Sequence, residues 1–124
     1  KIFNFLSNEE IKIVYKQAIA LVMPSYFGPT NIPPLDAWEN QIPVIYSDHL
    51  KEQTLDAALY VDSNSSSDLA NQIAKMMNED VRKEFIVRGK MRLYQIKKDR
   101  DNSINELSTK LDEFEKKLEN WKKN

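Results

Sequence analysis

An α/β fold built on a parallel sheet is what this 124-residue sequence predicts. Three short runs, Ala20–Met23, Pro43–Tyr46 and Ala58–Val61, are apolar without alternation, the pattern of strands covered on both faces. Around them lie segments with apolar residues at helical spacing and capping residues at their starts. Strands alternating with helices make the sheet parallel.

Each element has its own signal. Ile2–Leu6 reads as a further short strand; its abrupt opening without an initiator Met predicts a fragment of a longer protein. Ser7-Asn8-Glu9-Glu10 is a capping box, with Ser7 placed to bond the amide three residues on and Glu10 to reach back. Ile11, Val14, Tyr15 and Ala18 then give one buried helical face. After the strand Ala20–Met23 comes a proline-rich elbow, and Pro34 to about Glu39 forms a short helix. Ser65-Ser66-Ser67 offers caps to a helix carrying Leu69, Ile73, Met76 and Met77 on its buried face. A last helical segment runs from about Asp80 into the Lys97 region, where Lys97-Lys98-Asp99-Arg100-Asp101 reads as a solvated hinge. Ile104, Leu107, Leu111, Phe114, Leu118 and Trp121 follow at alternating steps of three and four. That stripe suits either a terminal helix packing on its own protein or a short coiled coil with a partner.

Bulk composition narrows the function classes. The chain is 41% hydrophobic and 30% charged with a formal net charge of −1, which argues against a nucleic-acid or anionic-membrane binder. Cysteine is absent and His49 stands alone, leaving no thiolate zinc site, no disulfide and no Ser-His-Asp arrangement. No apolar run approaches the roughly 18 residues of a membrane span and no signal peptide opens the chain, so the expected location is cytoplasmic.

The elbow, Tyr26-Phe27-Gly28-Pro29-Thr30-Asn31-Ile32-Pro33-Pro34-Leu35-Asp36, follows a strand of the sheet and so lies at its ligand-facing carboxyl edge. Proline suits the first helical position because that amide has no intrahelical partner. The free amides ahead of Pro33 would then attract an anion, phosphate above all, with a dipole contribution of about 0.3–1 kcal/mol. Asp36, one turn in, could accept two hydrogen bonds from vicinal hydroxyls such as a ribose. The plainer alternative is a proline-rich turn with Asp36 as a first-turn dipole partner.

The order of these segments resembles the second half of the C-terminal domain of the family 4 (group 1) retaining glycosyltransferases. Their signature is similar to P-S-x-x-E-G-F-G-L-P-x-L-E-A-x-A-x-G-x-P-V-I. Pro24, Ser25, Pro33, Leu35, Ala37, Pro43, Val44 and Ile45 match it in order and spacing without a gap. The "F-G-P-T-N-I-P-P-L-D-A" wording resembles a variant found in bacterial surface-polysaccharide enzymes. The resemblance spans about Ile2 to Leu93 and implies a GT-B architecture of two Rossmann-like domains. Here 1–97 would be the second half of the nucleotide-sugar-binding domain, and 98–124 a C-terminal amphipathic helix.

The resemblance further implies a UDP- or GDP-sugar as donor, no metal and no cofactor. It implies an acceptor-binding N-terminal domain outside this chain, as are the basic side chains that neutralise the diphosphate; any peripheral membrane association would come through those missing parts. Position by position, the amides of Asn31 and Ile32 approach the diphosphate, Gly28, Pro29 and Thr30 border the sugar, and Asp36 binds the ribose. No catalytic residue is assigned. Departures from the pattern include both of its acids. The first acid of the signature falls on Gly28, and the second is Asp36, about 1.5 Å shorter in reach than Glu. The family's glycine after the short helix falls on Gln41, so Asn40 is expected to take the left-handed turn.

Other candidates have bland readings beside functional ones. His49, Ser47 and Asp48 lie at a strand's ligand edge or are simply solvated there. Trp38 either stacks a base or belongs to the core. The alternative function is a non-catalytic Rossmann-like assembly module that self-associates through the Ile104–Trp121 stripe; a non-hydrolysing nucleotide-sugar epimerase ranks below both.

Overall fold

The computed structural model describes residues 2, 4–28 and 31–122. In chain order it contains α1 (Asn8–Gln17), β1 (Leu21–Met23), α2 (Pro33–Glu39), β2 (Val44–Ser47), a 3-10 turn (Asp48–Leu50), α3 (Lys51–Thr54), β3 (Ala58–Val61), α4 (Ser66–Met76) and α5 (Glu79–Lys122). The strands form one parallel sheet in the order β1-β2-β3, with Leu21 opposite Val44 and Val44 opposite Ala58. The α/β reading is therefore the observed architecture.

Central β2 is buried at every residue, as its unbroken apolar pattern requires. Ile45 and Val61 join Met76 of α4 and Phe85 of α5 in one cluster, with Leu59, Leu69 and Val81 packed against it. Helix α2 packs on β1 and β2, and α4 on β3. Trp38 is 2% exposed and belongs to the core. Its indole lies against Gly89 of α5 so closely that a Cβ there would stand 2.2 Å from a ring carbon.

The edge at β1 departs from expectation. No strand forms in the described part of the Ile2–Leu6 stretch (Lys1 and Phe3 lie outside the described residues). A strand needs a ladder partner for its backbone groups, and among the described residues β1 pairs only with β2. Val22 is consequently 40% exposed, not covered on both faces. Helix α1 has its capping box, with the Ser7 amide donating to the Glu10 carboxylate at 2.9 Å and the Glu10 amide to Ser7 Oγ at 3.3 Å. None of its residues is buried, however, since among the described residues no strand forms for its apolar face to cover. Ile11, Val14 and Leu21 instead line an open groove of about 270 Å³.

Helix α2 ends in a Schellman arrangement: the Ile42 amide donates to Ala37 O at 2.8 Å and the Gln41 amide to Trp38 O at 3.1 Å. Gln41, not Asn40, takes the left-handed conformation, at φ 59°. Asn40 is the preceding cap residue, and its side chain donates back to Asp36 O at 2.8 Å. The register of the two amide bonds fixes which residue must turn, whatever the side-chain preference. Leu55 also has positive φ, at 49°, ending α3.

Ser65 caps α4 as expected, its Oγ accepting from the Asp68 amide at 3.1 Å. Of the predicted face only Met76 is fully buried; Ile73 and Met77 are exposed. The expected hinge at 97–101 is helical, since α5 is continuous from Glu79 to Lys122. That stretch holds no Gly or Pro, and Gln95 donates to Asp99 one turn on at 2.7 Å. Packing divides the chain into two compact units, Lys1–Leu93 and Tyr94–Asn124. In the second, all six stripe residues from Ile104 to Trp121 are exposed. Among the described residues no helix is long and apolar enough to cross a membrane, and no group of acidic and histidine side chains could hold a metal ion.

Two substitutions test this packing. Gly→Ala inside a helix normally gains about 1 kcal/mol, but at Gly89 the new methyl meets the Trp38 ring, and overpacking costs about 1–3 kcal/mol. Gly89→Ala should therefore lower the urea midpoint; a raised midpoint would mean the indole moves aside freely. Asp68 is held below its ordinary pKa by the Asp62 amide, which donates to it at 2.9 Å, and then by Gln72. A depressed folded pKa contributes stability above the unfolded value, lost as pH falls through the folded one. Asp68→Asn should thus destabilise the protein near neutral pH, with the gap to wild type closing below about pH 4 in pH-dependent denaturation.

Candidate functional site

The carboxyl ends of the three parallel strands deliver three segments to one edge of the sheet: the elbow after β1, Asp48–Leu50 after β2, and Asp62–Ser65 after β3. Ser47, buried at the end of β2, joins the other two. Its Oγ donates to Ser25 O at 2.6 Å and lies 2.8 Å from Ser63 Oγ. Tyr26 adds a second tie, with its hydroxyl 3.0 Å from Ser63 O and 2.9 Å from Asn64 Oδ1. His49 stacks on the Tyr26 ring at 6.0 Å between centroids and places Nε2 3.2 Å from Tyr26 O. Asp48 lies 3.4 Å from its other nitrogen. His49 is therefore engaged with the elbow and not merely solvated.

Gly28 has φ 127°, outside the range of ordinary L-residues, and an ideal Cβ there would fall 2.1 Å from Asn31 Oδ1. The Asn31 carboxamide fills that place and donates to Gly28 O at 3.0 Å and to the Tyr46 hydroxyl. Pro29 and Thr30 lie outside the described residues. The Asn31 amide is not open: it donates to Gln53 Oε1 at 3.0 Å. Pro33 and Pro34 have no N–H, and the Leu35 and Asp36 amides both bond Ile32 O, at 2.8 and 3.2 Å. Of the two amides expected to stand free, only that of Ile32 has no acceptor among the described residues.

Asp36 is exposed one turn into α2, and its carboxylate accepts no hydrogen bond among the described residues. Its charge reaches α1, where burial first and then Asp36 hold the Tyr15 phenol above its ordinary pKa. The edge thus offers an amide and a carboxylate that have no hydrogen-bond partner among the described residues, a set suited to binding a polar ligand with anionic and hydroxyl groups. Sequence reasoning missed Gln53, Tyr46 and Tyr26. No local motif marks them, because each acts across the fold on a residue far away in the chain.

A family model described as glycosyl transferases group 1 matches residues 1–101. No curated protein and no solved structure matched the chain. With most of its length covered by that model, the chain belongs to the group 1 glycosyl transferases.

Proposed function

We propose that this chain is the donor-binding half of a retaining glycosyltransferase. It would bind a UDP- or GDP-sugar whose glycosyl group passes to an acceptor in surface-polysaccharide or glycoconjugate synthesis. The observation that carries this reading is the Asp36 carboxylate, exposed one turn into α2 after the Ile32 amide and without a hydrogen bond among the described residues. The diphosphate is bordered by Asn31 and Ile32, the sugar by Gly28, Pro29 and Thr30, and the ribose hydroxyls bond Asp36. The elbow's part in the chemistry is electrostatic, favouring the leaving diphosphate at a helix tip in the manner of a preorganised anion site. An acceptor domain elsewhere in the protein completes the cleft, and the bare groove between α1 and β1 supports a sheet that continues past β1.

Titrating UDP and GDP into the full-length protein tests the assignment. A hydrogen bond to a charged acceptor contributes about 1.5–3 kcal/mol, so Asp36→Ala should weaken the cognate nucleotide by roughly tenfold or more. Unchanged affinity for both nucleotides would refute it.

The exposure of the Ile104–Trp121 stripe favours a second role in self-association. A parallel pair of stripes sets Lys110 against Glu115 of the other copy, an attractive flank, while Lys117 meets Lys122 and repels. The contact is therefore weak and concentration-dependent. Sedimentation of the full-length protein should show dimers that Leu111→Lys abolishes; a monomer at every concentration would dismiss this role.

A further inference from the structure

The elbow is gripped by a residue that the donor-site reading leaves out. Gln53 of α3 accepts from the Asn31 amide at 3.0 Å through Oε1 and donates to the Asn31 carbonyl at 2.5 Å through Nε2. One carboxamide thereby pairs with both backbone groups of one residue, as a neighbouring strand would. Buried Tyr46 joins the pair: its hydroxyl accepts from Asn31 Nδ2 and lies 3.4 Å from Gln53 Oε1. Gln53 is itself anchored, because its carbonyl accepts from Arg92 Nε at 2.9 Å, and the next residue, buried Thr54, bonds the Tyr60 hydroxyl at 2.9 Å.

The consequence lies in the peptide plane. The Asn31 carbonyl and the Ile32 N–H belong to one trans peptide and point in opposite directions. Holding that carbonyl toward Gln53 turns the Ile32 N–H, which has no acceptor among the described residues, the other way. We infer that Gln53 is a positioning residue that aims the Ile32 amide at the bound anion and so sets the affinity for a nucleoside diphosphate. This rests on the donor-site reading above. A carboxamide offers the required acceptor and donor side by side at every pH. A carboxylate of the same shape would set an acceptor against the Asn31 carbonyl and release the plane.

Calorimetric titration of the full-length protein with UDP and GDP tests this with Gln53→Glu, Gln53→Ala and Asp36→Ala. Gln53→Glu should bind the cognate nucleotide about tenfold more weakly near pH 8. Its deficit should shrink toward about pH 5, because the protonated carboxyl regains a donor and the opposing carbonyl raises its pKa. Gln53→Ala should show a deficit without that recovery. Wild-type affinity in Gln53→Glu, or a deficit equal to that of Gln53→Ala at every pH, overturns the inference. If Gln53→Glu does not fold, Tyr46→Phe takes its place: it unlinks the clasp from the core, and undiminished affinity in it is the overturning result. Asp36→Ala separates the two readings. Loss there with none at Gln53 removes the clasp alone, whereas no loss at Asp36 removes the donor site.

Discussion

Strand β2 ends in two polar side chains shut away from solvent, and the carboxyl edge of the sheet is organised around them. Tyr46 and Ser47 are each 0% exposed. A buried polar group left without a partner costs about 1–3 kcal/mol, so the fold must bring partners to both. Ser47 obtains the Ser25 carbonyl and the Ser63 hydroxyl, and Tyr46 obtains Asn31 and Gln53. Every one of these partners lies outside the strands. The central strand thereby holds the segments after β1 and β3 in place, although they share no ladder with it. Trp38 is the contrast: its Nε1 is buried with no partner among the described residues, and packing of the ring against Gly89 must offset that loss.

The stiffness of the elbow follows from the same accounting. Two consecutive prolines open α2, removing two of the amides that a helix start leaves unpaired. Leu35 and Asp36 turn theirs to the Ile32 carbonyl, and Asn31 gives its own to Gln53. Among the described residues what remains is the Ile32 N–H at the tip of a short helix, where a dipole is worth about 0.3–1 kcal/mol. Such a tip orients an anion without holding it. The proposed assignment therefore rests on the Asp36 carboxylate and not on the helix end.

Strands β2 and β3, the capping box of α1 and the Ser65 cap were legible because each is decided within a few residues. Apolar runs declare burial, and Ser followed by Glu three positions on declares a helix start. The edge was less legible. Val22, Ile11 and Val14 have core composition, but composition cannot say whether a covering element is present, and here they stay open. The left-handed turn went to Gln41 because hydrogen-bond register outweighs a residue preference of about 1–2 kcal/mol. The continuity of α5 through 97–101 shows the same limit: charge reads as solvation, and solvated helix and solvated hinge look alike in sequence. Asp36 and Gly28 could be picked out by position, whereas Gln53 could not, because its partner lies 22 residues away.

Gly28 and Asn31 are best understood as one feature. At φ 127° and with the Asn31 carboxamide 2.1 Å from where a Cβ would stand, Gly28 has no room for the acid that the related signature carries there. Installing a glutamate would require more than space. It would expel the Asn31 carboxamide from the Gly28 carbonyl and from Tyr46, whose hydroxyl also meets the Gln53 side chain. The absent carboxylate is therefore coupled to the buried tyrosine and to Gln53. In this chain the elbow is built around a neutral amide, with Asp36 as its only acid, so any anion drawn to the edge meets one negative charge fewer than the signature pattern would place beside it.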